Sequence, residues 1–144
     1  MYDSPYLREH RLQDVVAALQ FLASYPDYDL TLQEFRNKIA SDPRSAVHWG
    51  QLFSEHPEFF RQSERGGDYS LVLRRARPKS EDRERPPLSS VELSMLIETA
   101  IHLQKHALEI HRERRWILPI ILGAIGIAVA FAGTILGAMI KGTG

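Results

Sequence analysis

Cysteine is missing from all 144 residues. Disulfides, thiolate nucleophiles and cysteine-ligated zinc or iron–sulfur centres are therefore excluded. A net charge is missing too: 18 lysines and arginines stand against 18 aspartates and glutamates. A protein built throughout to grip nucleic acid carries a basic excess, so only a local basic patch stays open. The opening stretch "MYDSPYLREHRLQDVV" has no apolar run of signal-peptide length, and nothing there directs secretion. Catalytic signatures are absent as well. No glycine-rich phosphate loop follows a strand pattern, and no GxSxG occurs. The acid pair Glu81–Asp82 lies in a polar, proline-flanked stretch, where no scaffold would hold two carboxylates at a fixed distance. These absences predict a protein that is not an enzyme and uses no cofactor.

What the chain does have is a long uncharged run, Trp116 to Ile140. A bilayer core of about 30 Å needs roughly 20 helical residues, so the run predicts a transmembrane helix over 116–140, with the lipid bilayer as partner. Pro119 falls in its first turn, where a missing N–H does least harm. Arg112, Arg114, Arg115 and Trp116 stand where a membrane interface would lie, against Lys141 alone beyond the other end. The positive-inside rule then predicts cytoplasmic residues 1–115, a short external tail at 141–144, and a tail-anchored, single-pass protein of the inner (plasma) membrane. Within the run, Gly123, Gly126, Ala130, Gly133 and Gly137 share one helical stripe that contains the GxxxG "GTILG". Small residues permit close backbone approach, so the stripe predicts a self-associating homo-oligomer.

Before that run, residues 89–115 read as an amphipathic stalk helix. Ser89 or Ser90 is placed to cap it, with Glu92 reinforcing the cap. Leu93, Leu96, Ala100, Leu103, Ala107 and Ile110 recur at heptad spacing, and Ile97, Ile101 and Leu108 widen the stripe. Such a stripe either meets copies of itself in an oligomer or folds back onto the N-terminal domain. His102 and His106 are one turn apart, with Glu98 and Glu109 near in phase. Without an HExxH or a second ligand pair they read as a solvated face, and no metal site is expected.

Residues 1–77 carry most of the aromatics. Leu12, Val15, Val16, Leu19, Phe21 and Leu22 mark a first helix, Leu32, Phe35 and Ile39 a second, and Ala46, Trp49, Leu52 and Phe53 a third. Leu71 and Leu73 then alternate with Val72 and Arg74 beyond Gly66–Gly67, as in a β-hairpin. Three helices and a hairpin give the order of a winged helix-turn-helix, so the expected fold is mainly α. It comprises a winged-helix-like domain, a linker over 78–88, the stalk and the membrane helix. Arg61, Arg65, Arg74, Arg75 and Arg77 form a basic strip suited to a phosphate or other anion. The third helix offers chiefly Arg44, His48 and Gln51 beside Glu55, which is too little positive charge for a groove reader. A protein partner is therefore expected ahead of nucleic acid.

The blocks "HWGQLFSEHPEFFR", "SLVLRRARPK" and "RPPLSSVELSMLIETAIHLQKHALEIHRERRW" resemble a group of uncharacterised bacterial single-pass membrane proteins that share a "PEFFR" block. Some of these carry the name N-carbamoyl-L-amino-acid hydrolase. A metal-dependent amidohydrolase needs clustered His and acidic ligands in a deep cleft, which this sequence lacks. The resemblance implies an inner-membrane protein and, by analogy with small membrane effectors, a role in bacterial defence. The expected function is a membrane-anchored, self-associating sensor, adaptor or membrane-perturbing effector with a partner-binding N-terminal module. The alternative is a membrane-tethered DNA-binding transcriptional regulator.

Overall fold

Helix α1 (Arg11–Ser24) buries Val15, Ala18, Leu19, Leu22 and Ala23, the three-and-four spacing of a helix laid on a core. A short strand, β1 (Asp29–Thr31), follows and runs directly into α2 (Leu32–Ile39). Thr31 Oγ1 accepts from the Glu34 amide at 3.2 Å, and the Glu34 carboxylate accepts from the Thr31 amide at 3.0 Å. This reciprocal capping box satisfies two of the helix's orphan donors. The same bonds hold the Glu34 carboxyl below its ordinary pKa. Helix α3 (Trp49–Glu55), strands β2 (Phe60–Gln62) and β3 (Asp68–Leu71), and the single turn α4 (Val72–Arg75) complete the sequence of elements to that point.

The three strands form an antiparallel sheet in the order β1-β3-β2, with Leu30 opposite Tyr69 and Phe60 opposite Leu71. Leu30, Phe60 and Leu71 are buried on the inner face. Gly66 and Gly67 carry φ values of 74° and 104° in the β2–β3 turn, a backbone region that L side chains avoid. Phe35 centres the core. Its ring meets Phe21, Trp49 and Phe53 edge-on at centroid distances of 5.0, 5.0 and 5.2 Å, the geometry that aromatic quadrupoles favour.

The computed structural model describes residues 4–64, 66–79 and 85–113. The chain divides into two compact units, Met1–Ala107 and Leu108–Gly144. Of the second, the described residues 108–113 are helical. In the first, residues 90–107 form a helix, α5, that starts from a second capping box: Ser89 Oγ donates to Glu92 at 2.7 Å and accepts from the Glu92 amide at 3.3 Å. Ala100 and Ala107 are buried in the domain's own core, and Leu93, Leu96, Ile97 and Leu103 pack against it.

Several expectations are corrected. The mainly α, winged-helix-like architecture gives way to a mixed α/β unit with a three-stranded sheet and five helical elements before α5, counting the 3-10 turn Pro5–Leu7. The strand added to the expected hairpin, β1, has only three residues, too few for alternation to reveal it. The third helix begins at Trp49 and so leaves out Ala46, because residues 43–46 are held in an irregular turn by α1. The Arg11 guanidinium donates to the Ser45 carbonyl at 2.8 Å, and Asp14 accepts from the Ser45 amide at 2.7 Å and hydroxyl at 2.6 Å.

The single-pass, tail-anchored placement in the inner membrane is corrected too. No helix among the described residues is long and apolar enough to cross a membrane. The span 116–140, its stripe (Gly123, Gly126, Ala130, Gly133, Gly137) and the flanking Arg114, Arg115 and Trp116 lie outside the described residues. The stalk's apolar stripe meets the core of its own domain: Leu93, Leu96, Ala100, Leu103 and Ala107 all join it, while Ile110 is exposed.

One side chain ties these parts together. Arg74 is wholly buried, and its guanidinium donates to six backbone carbonyls: Leu22, Tyr25, Pro26, Asp27, Arg85 and Pro86, at 2.6 to 3.2 Å. Leu22 and Tyr25 belong to the end of α1, where carbonyls lack helical partners. Arg85 and Pro86 lead into α5. Burial, then the charge of Arg77, lowers the Arg74 pKa, while Asp27 and Asp29 oppose the shift. Arg77 continues the strap, donating to the Pro87 carbonyl at 2.9 Å and pairing with Glu92. The Leu88 amide closes onto the Ala23 carbonyl at 2.9 Å.

Arg74→Met removes the donors and leaves these carbonyls buried. A loss of about 3 kcal/mol or more is expected in urea unfolding. Substitution of its exposed neighbour, Leu73→Ala, should stay within about 1 kcal/mol of wild type. Glu92 gives a pH signature. Hydrogen bonds from Arg77, then from the Ser89 side chain and amide, lower its pKa from 4.5 to about 2. A carboxyl depressed in the fold stabilises it above the unfolded pKa and ceases to as pH falls through the folded one. Glu92→Gln should therefore be less stable than wild type at neutral pH, and the gap should close as pH drops from 4.5 toward about 2.

Candidate partner-binding groove

Two helices meet at an angle that leaves a trough between them. Leu32, Gln33, Arg36 and Asn37 of α2 form one wall, and Val47, His48, Trp49 and Gly50 at the start of α3 form the other, with Asp42 at the end. The volume is about 440 Å³, within the usual size of ligand clefts. Its geometry follows from local chemistry. The backbone of His48 is extended, and its ring Nδ1 accepts from the Gln51 amide at 3.0 Å, which caps α3 and turns the imidazole along the groove. The Trp49 indole N–H donates to the Ser41 carbonyl at 2.8 Å, fixing the loop that carries Asp42. Asp42 in turn accepts from Arg36 at 3.0 Å.

Gly50 sets the floor. A Cβ there would lie 2.7 Å from Leu32 Cδ1 and 3.2 Å from His48 Nδ1. An alanine here would displace the end of the Leu32 side chain into the groove. Val47, on the lip, is 83% exposed, the largest exposure of any described large hydrophobic residue. Among the described residues, the side-chain amides of Gln33 and Asn37 make no hydrogen bond within the protein.

A second polar cluster braces the far side of α3. Arg8 and Arg11 both reach Glu55, at 2.9 and 2.7 Å, although Arg11 Nη1 lies off the line of a hydrogen bond. Burial alone would raise the Glu55 carboxyl; the hydrogen bond from Gln51 and the charges of Arg11 and Arg8 bring it below its ordinary value. In the "PEFFR" block, Phe59 and Phe60 are core residues, and Glu58 accepts from the Tyr6 hydroxyl at 2.7 Å and lies 3.0 Å from His56 Nδ1. Burial, then the hydrogen bond to Glu58, raises the Tyr6 hydroxyl well above its normal range. That block is scaffold, tying the Pro5–Leu7 turn to the segment that follows α3.

The five arginines of the basic strip do not act together. Arg74 is buried on carbonyls, and Arg77 is tied to Glu92 and Pro87. Arg61 is exposed beside a shallow recess of Phe53, Pro57, Phe60, Tyr69 and Val72. Arg75 turns to a different pocket, on the outer face of the sheet. Arg65 lies outside the described residues. Arg112 is exposed in the second unit. No group of three or more His, Asp or Glu side chains among the described residues could hold a metal ion. Sequence reading missed the groove because its walls come from different helices. The only local hint was a valine and a histidine immediately before a helix.

No family model, curated protein or solved structure matches the chain.

Gly50→Ala tests the floor. Alanine gains up to about 1 kcal/mol of helix propensity, against displacement of the mobile end of Leu32. Stability within about 1 kcal/mol of wild type is therefore expected, with a changed Leu32 methyl resonance in NMR as the groove narrows.

Proposed function

We propose that this domain is an interaction module that binds an uncharged peptide segment of a protein partner, seated by an apolar side chain, in the α2–α3 groove. The observation that carries this reading is the character of the lining. Leu32, Val47 and Trp49 supply apolar surface, and Gln33 and Asn37 supply amides that match a peptide backbone. The groove's formal charges, Arg36 and Asp42, neutralise each other. Such a lining complements a neutral polypeptide and has nothing to hold a phosphate chain.

The competing DNA-reading function finds less support. Trp49, Gly50, Leu52 and Phe53 are buried, which leaves α3 only Gln51, Ser54 and Glu55 to present. Gln51 is already committed, donating to Glu55 at 2.9 Å and accepting from the Val47 amide at 3.0 Å. A recognition helix needs several free side chains at base edges.

Selection from a displayed random-peptide library against the purified full chain tests the proposal. Enriched peptides should share one bulky apolar residue in an uncharged setting. Val47→Glu should weaken them by about tenfold or more, the scale on which an interface anchor is lost, with an unchanged melting temperature because Val47 contacts so little. No enrichment, or enriched peptides that bind the variant equally well, refutes the groove as the site. A steeply salt-dependent shift of DNA fragments by the full chain would favour the competing reading.

A further inference from the structure

A pocket of about 160 Å³ on the outer face of the sheet is lined by Tyr28, Asp29, Ser63, Asp68, Ser70, Arg75, Lys79 and Arg85, with no aliphatic residue among them. We propose that it binds a free, small α-amino acid by its zwitterionic head group. The sheet register explains half of the lining. Asp29 lies opposite Ser70 and Thr31 opposite Asp68, so Asp29, Ser70 and Asp68 share the pleat face opposite Leu30 and Leu71. The cations come from the chain beyond the sheet. Arg75 ends α4, Lys79 follows it, and Arg85 is brought in because Arg74 holds the Arg85 carbonyl at 2.9 Å. The Arg85 guanidinium then lies over the Tyr28 ring, 4.8 Å from its centroid. Its Nε is buried without a hydrogen-bond partner.

The charges decide the ligand. Three cations and two carboxylates line one small cavity, and among the described residues no cation of this set is ion-paired with Asp29 or Asp68. Opposite charges held near one another but apart leave space for a group that completes both. A lone oxyanion would be drawn to Arg75, Lys79 and Arg85 and repelled by the two aspartates. A lone amine would meet the reverse. A ligand bearing a carboxylate and an ammonium on the same carbon satisfies both sets at once. The volume and the polar walls limit its side chain to hydrogen or a small polar group, as in glycine or serine. The hydroxyls of Tyr28, Ser63 and Ser70 complete the lining; burial, then the charge of Asp29 and a hydrogen bond to it, raises the Tyr28 pKa. The site is separate from the α2–α3 groove and shares none of its residues.

The test is titration of the isotope-labelled full chain with glycine and with serine, followed by amide shifts. N-acetylglycine (no ammonium), ethanolamine (no carboxylate) and inorganic phosphate serve as controls. Saturable shifts at Asp29, Asp68 and Ser70 are expected with the amino acids. Deleting either ligand charge should weaken binding about tenfold or more, as should Asp68→Asn and Arg75→Gln. Asp29→Asn provides the same reading should Asp68→Asn fail to fold, and Lys79→Gln, at an exposed position, should Arg75→Gln do so. Val47→Glu should leave the titration unchanged, which separates this site from the groove. Absence of saturable shifts with both amino acids overturns the assignment. So does phosphate or ethanolamine binding as tightly as glycine.

Discussion

The constraint on which this domain depends is the burial of a single guanidinium. Backbone carbonyls at the end of a helix have no helical partners, and each costs free energy if it is shut away from water. Arg74 takes up that problem at three places at once: the end of α1, the Tyr25–Asp27 turn, and the segment entering α5. The charge is costly to bury, but five donors in a rigid fork can saturate several carbonyls in one plane. Lysine, with a compact head and three donors, could not span the same set. The result joins a strand-proximal turn, a helix end and a distant chain segment at one point. The aromatic core around Phe35 could form without it, but α5 would lose its docking geometry.

The second consequence concerns α5. An amphipathic helix with a broad apolar stripe needs a partner surface, and sequence spacing cannot say whether that surface belongs to the same chain or another. Here the strap from Arg74 and Arg77 delivers residues 85–92 onto the domain, and the small side chains of Ala100 and Ala107 allow close approach to its core. The capping box at Ser89–Glu92 then starts the helix in register, with Arg77 reinforcing the same carboxylate. Local and tertiary preferences agree at this junction, which is the mark of a specified rather than an incidental contact.

The groove and the sheet-face pocket are by-products of the same organisation on opposite sides of the molecule's logic. The first is floored by Gly50, with Val47 and His48 left outside the core. The second exists because Arg74 positions Arg85 above a polar sheet face. One recess is neutral and part apolar, the other mainly polar and charged with both signs.

Much of the local structure was legible from residue order. The Ser89–Glu92 cap, the glycine turn at 66–67, and the core positions Leu19, Phe35, Trp49 and Phe53 follow from nearest-neighbour chemistry and periodicity. Such features depend on groups a few residues apart. Strand β1 was not legible, because Asp29–Thr31 is too short to show alternation and is defined by pairing with residues 68–70. The roles of the arginines were not legible either: a run such as Arg74, Arg75, Arg77 reads as one basic strip, yet the three point to a carbonyl nest, a sheet-face pocket and a glutamate. Nor did sequence determine where the α5 stripe would go, or that residues from α2 and α3 would enclose a groove. By itself, then, the order of residues determined caps, turns and which side chains seek burial, since those are short-range preferences. Tertiary structure alone decided which charges are buried, which are paired and which are left facing a cavity, because those outcomes depend on distances between segments far apart in the chain.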